Sequence, residues 1–220
     1  MNHTEDSKRK IIARIREICG DSRKPVEKRD SLDFLIGELK KVTGYTDPPA
    51  YPVDKVAGGW KQIYTDQTYP IPSFLKMDPD SIYQIVSKEN HYWNVSNLDV
   101  FGIFPTVGCL RGKYEGVPGE PSVRVEFTRN GFRLGHLPGF SNVVDYADTL
   151  EDGSRWVLSI GSGEAPSGPV GISGKLTSIY VDDEIRIDGG TQFPFTDGSG
   201  KVLVEGFTGT LFILEKVESF

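Results

Sequence analysis

The stretch Gly58-Gly59-Trp60-Lys61-Gln62-Ile63-Tyr64-Thr65 divides two helix-like segments from a long train of strand-like ones, and it constrains the fold more than any other. A glycine two residues before a large indole permits a tight backbone turn and lets the ring cover one end of a small closed barrel. A core tryptophan on an ordinary first strand is the alternative reading of the same residues.

Beyond Trp60 the texture is period two. Val123, Val125 and Phe127 share one face of a segment whose other face carries Arg124, Glu126 and Thr128, the pattern of a strand wet on one side. Comparable segments run over 82–87, 92–98, 132–136, 155–160, 175–181, 184–188, 202–205 and 210–216. Asn130-Gly131, Asp152-Gly153 and Asp197-Gly198-Ser199-Gly200 read as hairpin turns, which makes neighbouring strands antiparallel. Roughly eight to ten strands without intervening helices point to a mainly β chain closed into an antiparallel barrel, since closure leaves no long edge. The stretch from Gly161 to Gly171 is too rich in Gly and Pro for regular structure and reads as a rim loop, either a lid or a plain connector.

The chain ahead of Trp60 differs. Ile11, Ile12, Ile15, Ile18 and Cys19 recur at helix spacing up to Gly20, and Leu32, Leu35, Ile36, Leu39 and Val42 repeat the pattern after a cap at Asp30 or Ser31. The prolines of the 44–52 segment then end helix, so residues 1–44 read as a helical extension and 45–220 as the barrel domain. The first 44 residues carry 11 basic and 8 acidic side chains against 14 and 23 in the remainder, for a net charge of −6. No field that gathers nucleic acid is implied. Lys8, Arg9, Lys10, Arg14 and Arg16 on the first helix fit either a membrane-surface or partner-binding face or a solvated face. The first ten residues show neither an apolar signal core nor an acid-free transit pattern, and the apolar runs are short, so a soluble intracellular chain without a visible targeting peptide is expected.

Chemistry is sparse. Cys19 and Cys109 fit no metal or redox spacing, the three histidines assemble no triad, and no nucleotide, phosphate-loop or nucleophile-elbow pattern is present, so no cofactor, metal or catalytic group is expected. Asp182-Asp183-Glu184 is the one acidic cluster. Alternate strand residues point to opposite faces, so convergence on a cation or an acid/base pair is disfavoured against a turn in which Asp182 or Asp183 bonds local amides and one carboxylate holds Arg186. In a barrel, Arg186 has a further role, its planar fork stacking on Trp60 at the closed end, and Trp60, Asp183 and Arg186 form the expected closure. Tyr64, Tyr83, Trp93, Phe127, Trp156, Tyr180 and Phe212 fall in strand-like segments, and an inward-facing subset would wall a ligand cavity or fill the barrel solid.

These motifs, in this order, resemble the plastid-lipid-associated protein (fibrillin) family, a lipocalin-like group. The resemblance rests on Gly58 to Thr65, on Ile82-Tyr83-Gln84 with Asn94, on Tyr180-Val181-Asp182-Asp183-Glu184-Ile185-Arg186-Ile187, and on Gly209-Thr210-Leu211-Phe212-Ile213-Leu214. It spans roughly residues 30 to 216. Two features depart from the family's pattern: Thr46-Asp47-Pro48-Pro49, and an insertion from Thr191 to Phe207. The resemblance implies a lipocalin-like barrel that binds or sequesters a lipophilic small molecule such as a carotenoid, quinone, fatty acid or other lipid. Contact with photosynthetic membranes or lipid droplets is implied as well, and no enzymatic activity. Trp60, Tyr64, Tyr83, Phe127, Tyr180 and Phe212 are the expected ligand contacts. Two other readings stay open: a packed barrel docking on a membrane edge or protein partner through its helices, and a lipocalin-type enzyme using Asp182, Asp183 or His136. Neither the ligand nor the oligomeric state can be read from the sequence.

Overall fold

The computed structural model describes residues 3–67, 75–134, 158–161, 170–196 and 199–217. Eight antiparallel strands form a closed barrel, with two helices laid against its outside. In chain order the elements are α1 (His3–Gly20), α2 (Pro25–Thr43), a single turn α3 (Val53–Val56), β1 (Gly58–Thr65), β2 (Leu75–Val86), β3 (His91–Val100), β4 (Phe104–Gly116), β5 (Ser122–Leu134), β6 (Leu158–Gly161), β7 (Ser173–Val181), β8 (Ile185–Gln192), β9 (Phe195–Thr196), β10 (Val202–Val204) and β11 (Phe207–Val217).

The wall runs β1-β2-β3-β4-β5-β7-β8-β11 and returns to β1; the β4–β5 pairing closes the circle. β5 serves two neighbours on one edge. Its residues 122–126 pair with β7, and past an irregularity at Thr128 its residues 129–132 pair with β6. β9 and β10 form a separate hairpin emerging between β8 and β11, where the sequence carries its insertion.

Because the strands alternate in direction, the barrel has two distinct ends. One end gathers the start of β1, the tight turns β2–β3, β4–β5 and β7–β8, and the end of β11. The other gathers the β3–β4 turn and the β9–β10 hairpin, and we call it the mouth.

Alternation sorts β8 into two populations. Ile185 and Ile187 face outward and join Ile12, Ile15, Ile18, Leu32, Ile36, Leu39, Leu211 and Ile213 in a layer between helices and wall. Arg186 and Asp188 face inward, toward a second cluster holding Tyr51, Val56, Trp60, Val86, Tyr92, Tyr114, Val123, Val125, Val181, Phe212 and Leu214. The helix pair thus covers the barrel wall with the apolar stripes seen in the sequence. Lys28, itself buried, donates to Cys19 O (2.9 Å) and Asp21 O, satisfying carbonyls at the end of α1. Arg29 ties α2 to the barrel through Asp66 (2.6 Å) and Gly209 O (2.7 Å), and Asp66 accepts from Leu211 N–H (2.8 Å).

Three local readings change. α2 starts at Pro25, a residue suited to the first helical position, one turn before the cap expected at Asp30 or Ser31. Asn130-Gly131 makes no turn: it lies inside β5, paired with β4 on one side and β6 on the other, so cross-strand bonding overrides local turn preference. β4 was absent from the strand segments, since Pro105, Gly108, Gly112 and Gly116 interrupt its pattern. The Asp152-Gly153 turn, residues 162–169 of the rim loop, Trp156 and His136 lie outside the described residues.

Ile15 has no exposed surface although it sits on a helix outside the barrel. Ile15→Ala is therefore expected to lower unfolding free energy by about 2–5 kcal/mol in urea titration, as for a core position. A loss under about 1 kcal/mol would show the helices to be loosely attached.

Candidate functional site

The closed end is built around Trp60, which is fully buried. Gly58 enters β1 at φ +116°, a conformation that L side chains rarely adopt, and a Cβ there would lie 2.7 Å from Lys216 Nζ. The chain can therefore bring the indole under the barrel only with glycine at this position. Trp60 Nε1 donates to Val56 O (2.6 Å) at the end of α3. Lys216 Nζ stands 4.4 Å from the indole centroid and donates to Ala57 O (2.8 Å); the Arg186 guanidinium carbon lies 6.0 Å from the same centroid.

Arg186 is the only fully buried cation in this floor among the described residues. Its Nη2 donates to Tyr51 Oη (2.9 Å) and forms an ion pair with Asp188, which is likewise buried. Burial works against the Arg186 charge, yet Asp188 and Tyr51 hold its pKa above the ordinary value. Burial also pushes Asp188 up, against the pull of Arg186. Arg186 Nε and Nη1 and Asp188 Oδ1 have no hydrogen-bond partner, nor does the inward-facing Gln84 Oε1. The interior is therefore not greasy throughout. Gln84 and Asn94 lie in the cross-strand row of Trp60, and Asn94 accepts from Tyr92 Oη (2.6 Å).

The carboxylate beside Arg186 is Asp188, two residues along the same strand and hence on the same face. Asp183 lies exposed in the β7–β8 turn and takes no part in that pair. Asp182 fixes this turn: its Oδ1 accepts from Glu184 N–H (2.8 Å) and Ile185 N–H (2.9 Å), its Oδ2 from Tyr180 Oη (2.8 Å) and Lys8 (2.9 Å). Burial is the largest influence on its carboxyl, but Lys8, the two amides and Tyr180 together hold it below the usual carboxylate range.

Three expected ligand contacts lie elsewhere. Tyr64 and Tyr180 belong to the layer beneath the helices: Tyr64 Oη donates to Pro25 O (3.0 Å), and the Tyr180 ring tilts against Tyr45 at 4.8 Å. A bulge precedes each, between Gln62 and Tyr64 on β1 and between Ser178 and Tyr180 on β7. One extra residue reverses which face follows, so a period-two count from Trp60 or Ser178 misplaces both rings. Tyr83 pairs across from Lys61, out of the row of Trp60 and Gln84, and is also outward. Phe127 and Phe212 face inward with the Trp60 cluster. Gly190 is without a side chain because the Phe212 ring occupies that space, 2.5 Å from where a Cβ would be, so the ring lies along the β8 wall. Half-buried Leu110 and Leu176 face the interior above the floor, by their pairing with Asn94 and Gly190.

Sequence reading also missed Tyr51, Lys216, Asp188 and Gln84. Of these only Asp188 had a local signal, its two-residue spacing from Arg186. No group of three or more His, Cys, Asp or Glu is placed to hold a metal among the described residues. Burial pushes the Cys19 thiol up to about 12, and Cys109 is buried as well. The basic face of α1 is engaged within the protein. Lys8 meets Asp182, Arg16 meets Glu215 and Glu184, and Lys10 and Arg14 pair along the helix with Asp6 and Glu17.

The PAP_fibrillin family model matches residues 5–194, from within α1 to the base of the β9–β10 hairpin. The chain belongs to the PAP/fibrillin family. No curated protein and no solved structure matches it. The family match takes in both outer helices together with most of the barrel, and stops where the inserted hairpin begins.

Two measurements test this end of the barrel. Asp188→Asn leaves Arg186 as a buried unmatched cation and is expected to cost about 3–5 kcal/mol of stability, whereas Arg186→Met with Asp188→Leu is expected to cost far less. The Asp182 carboxylate, with its folded pKa lowered, stabilises the fold above the ordinary aspartate value near ~3.9, and that contribution disappears as pH falls through the lower folded value. Asp182→Asn should accordingly flatten the acid limb of a stability–pH curve while leaving its neutral-to-basic shape unchanged.

Proposed function

We propose that this PAP/fibrillin protein binds and sequesters a hydrophobic small molecule inside its barrel, without chemical conversion. The observation that carries the reading is the asymmetry of the lumen. One end is filled by buried Trp60, Tyr51 and Arg186 with Lys216 beside them, while inward-facing Phe127, Leu110 and Leu176 are only partly buried. An eight-stranded barrel is wide enough for either packed side chains or one small ligand, and the partly buried apolar wall supports the second. Apolar walls gain about 25 cal/mol per Å² of ligand surface removed from water. Gln84 and Asn94 add polar atoms suited to a lipid with a polar end, such as a quinone, a hydroxylated carotenoid or an acylated molecule. Family membership supports a plastid setting beside photosynthetic membranes or lipid droplets. No helix among the described residues is long and apolar enough to cross a membrane, which is compatible with peripheral contact.

A larger side chain on this partly buried wall should take up the room that a ligand would use. Native mass spectrometry of protein isolated from its source is expected to show a retained lipid, reduced about ten-fold or more in Leu176→Trp with thermal melting preserved. Absence of any retained lipid in the unaltered protein, or equal retention by Leu176→Trp, would overturn the reading in favour of a packed scaffold.

A further inference from the structure

The helices are not the surface that this structure offers to a lipid phase. Among the described residues, seven large apolar side chains are exposed, and the five that belong to the barrel unit all lie at its mouth: Phe101 (71%), Ile103 (71%), Phe104 (54%), Phe193 and Val202. They form two groups. The first is the tip of the β3–β4 hairpin. The second is the exit of β8 with the β9–β10 hairpin that leaves it. Around the wall the β3–β4 junction and the β8–β11 junction are four strands apart, so in a ring of eight they stand on opposite sides of the opening.

The β3–β4 tip is costly to build as it stands. Phe101 has φ +55° and Gly102 φ +71°, in a turn closed by Ile103 N–H to Val100 O at 3.3 Å. Successive left-handed residues are the geometry for which Asn-Gly or Asp-Gly is suited, and an aromatic side chain at φ above zero is an outlier. A phenylalanine is thus held at a backbone conformation that disfavours it, with most of its surface exposed. The second group has a fixed base. A Cβ on Gly206 would meet Gln192 O at 2.7 Å and the Pro194 ring at 2.9 Å, and Gln192 Nε2 donates to Glu205 O (2.9 Å), so the two ends of the insertion are held together at the rim.

We propose that the mouth rim docks on a lipid surface, with Phe101, Ile103 and Phe104 on one side of the barrel end and Phe193 and Val202 on the other entering its headgroup boundary. This rests on the lumen reading and deepens it by assigning the face through which a lipid is taken up. Two apolar points on opposite sides of the rim suit a flat, deformable apolar layer, which engages both at once. A groove on a protein would take one of them. Charge points the same way: the segment from Val100 to Leu110 holds no charged residue, and the chain is net −6, so the contact calls for no anionic lipid.

Flotation of the full chain with vesicles of phosphatidylcholine alone tests this. Binding is expected, and it should change little between low and high salt. Phe101→Asn, which supplies the residue the turn geometry favours, should keep or raise the melting temperature while weakening flotation. Ile103→Ser with Phe104→Ser, and separately Phe193→Ser, should each reduce it, the double variant by about ten-fold or more. In Phe101→Trp the emission should shift to the blue on adding vesicles. Phe34→Ser, on the exposed face of α2, should have no effect. Failure of the unaltered chain to float, undiminished flotation of the rim variants, loss through Phe34→Ser, or dependence on one rim group alone would each overturn the proposal. Lipid already retained in the lumen should be unaffected in the same rim variants, so failure of docking and failure of lumen binding read out separately.

Discussion

Everything at the closed end depends on keeping the Arg186 guanidinium out of water. Transferring a cation into a protein interior costs several kcal/mol after relaxation, and Asp188, Tyr51 and the Trp60 ring stand near enough to offset it. Those partners come from β8, from the segment ahead of α3 and from β1, so the charge is compensated only when the barrel floor is assembled. Such a pair contributes less to net stability than to uniqueness. A one-residue slip of β8 would turn Arg186 and Asp188 out among Ile12, Ile15 and Leu32, and turn Ile185 and Ile187 into the floor. The pair thereby fixes the register of the strand that divides the interior from the helix-covered outer face.

The outer layer follows from that register. With Ile185, Ile187, Leu211 and Ile213 directed outward, one side of the barrel presents an apolar wall that requires cover, and α1 and α2 supply it. Bulges on β1 and β7 bring Tyr64 and Tyr180 into the same layer, where their hydroxyls find Pro25 O and Asp182. The basic residues of α1 match carboxylates on the β7–β8 turn and on β11. A helix that reads in isolation as a membrane-surface element is thus part of the folded unit.

This division was only partly legible in the sequence. Period two revealed most strands and helix spacing revealed both helices, because each pattern reports a single burial face that local residues determine. Barrel closure and the tryptophan end also followed, since Gly58 and Trp60 carry their constraint in adjacent residues. What escaped was set by register. A bulge inserts one residue without a fixed composition, so Tyr64 and Tyr180 could not be told from inward rings. β4 was interrupted by glycines whose reason lies across the sheet, as at Gly112, where a Cβ would crowd Glu126 O, Val125 and Phe127. Tyr51, Lys216 and Gln84 join the floor and wall from three separate segments, and no sequence window contains them together.

On the proposed reading, a barrel packed at one end exchanges its ligand through the other, and that makes the rim part of the binding problem. The free energy gained by enclosing an apolar ligand is lost again if it must cross water on the way in, because the cost scales with the same exposed area. Where the mouth opens into water, the barrel is a slow store whose release rate falls as its affinity rises. Where the mouth opens onto an apolar layer, the ligand moves between two phases of similar character, and affinity no longer sets the rate alone. Under that proposal the exposed aromatics at the rim and the buried guanidinium at the floor are complementary: one end excludes water permanently, the other only while a lipid surface is present.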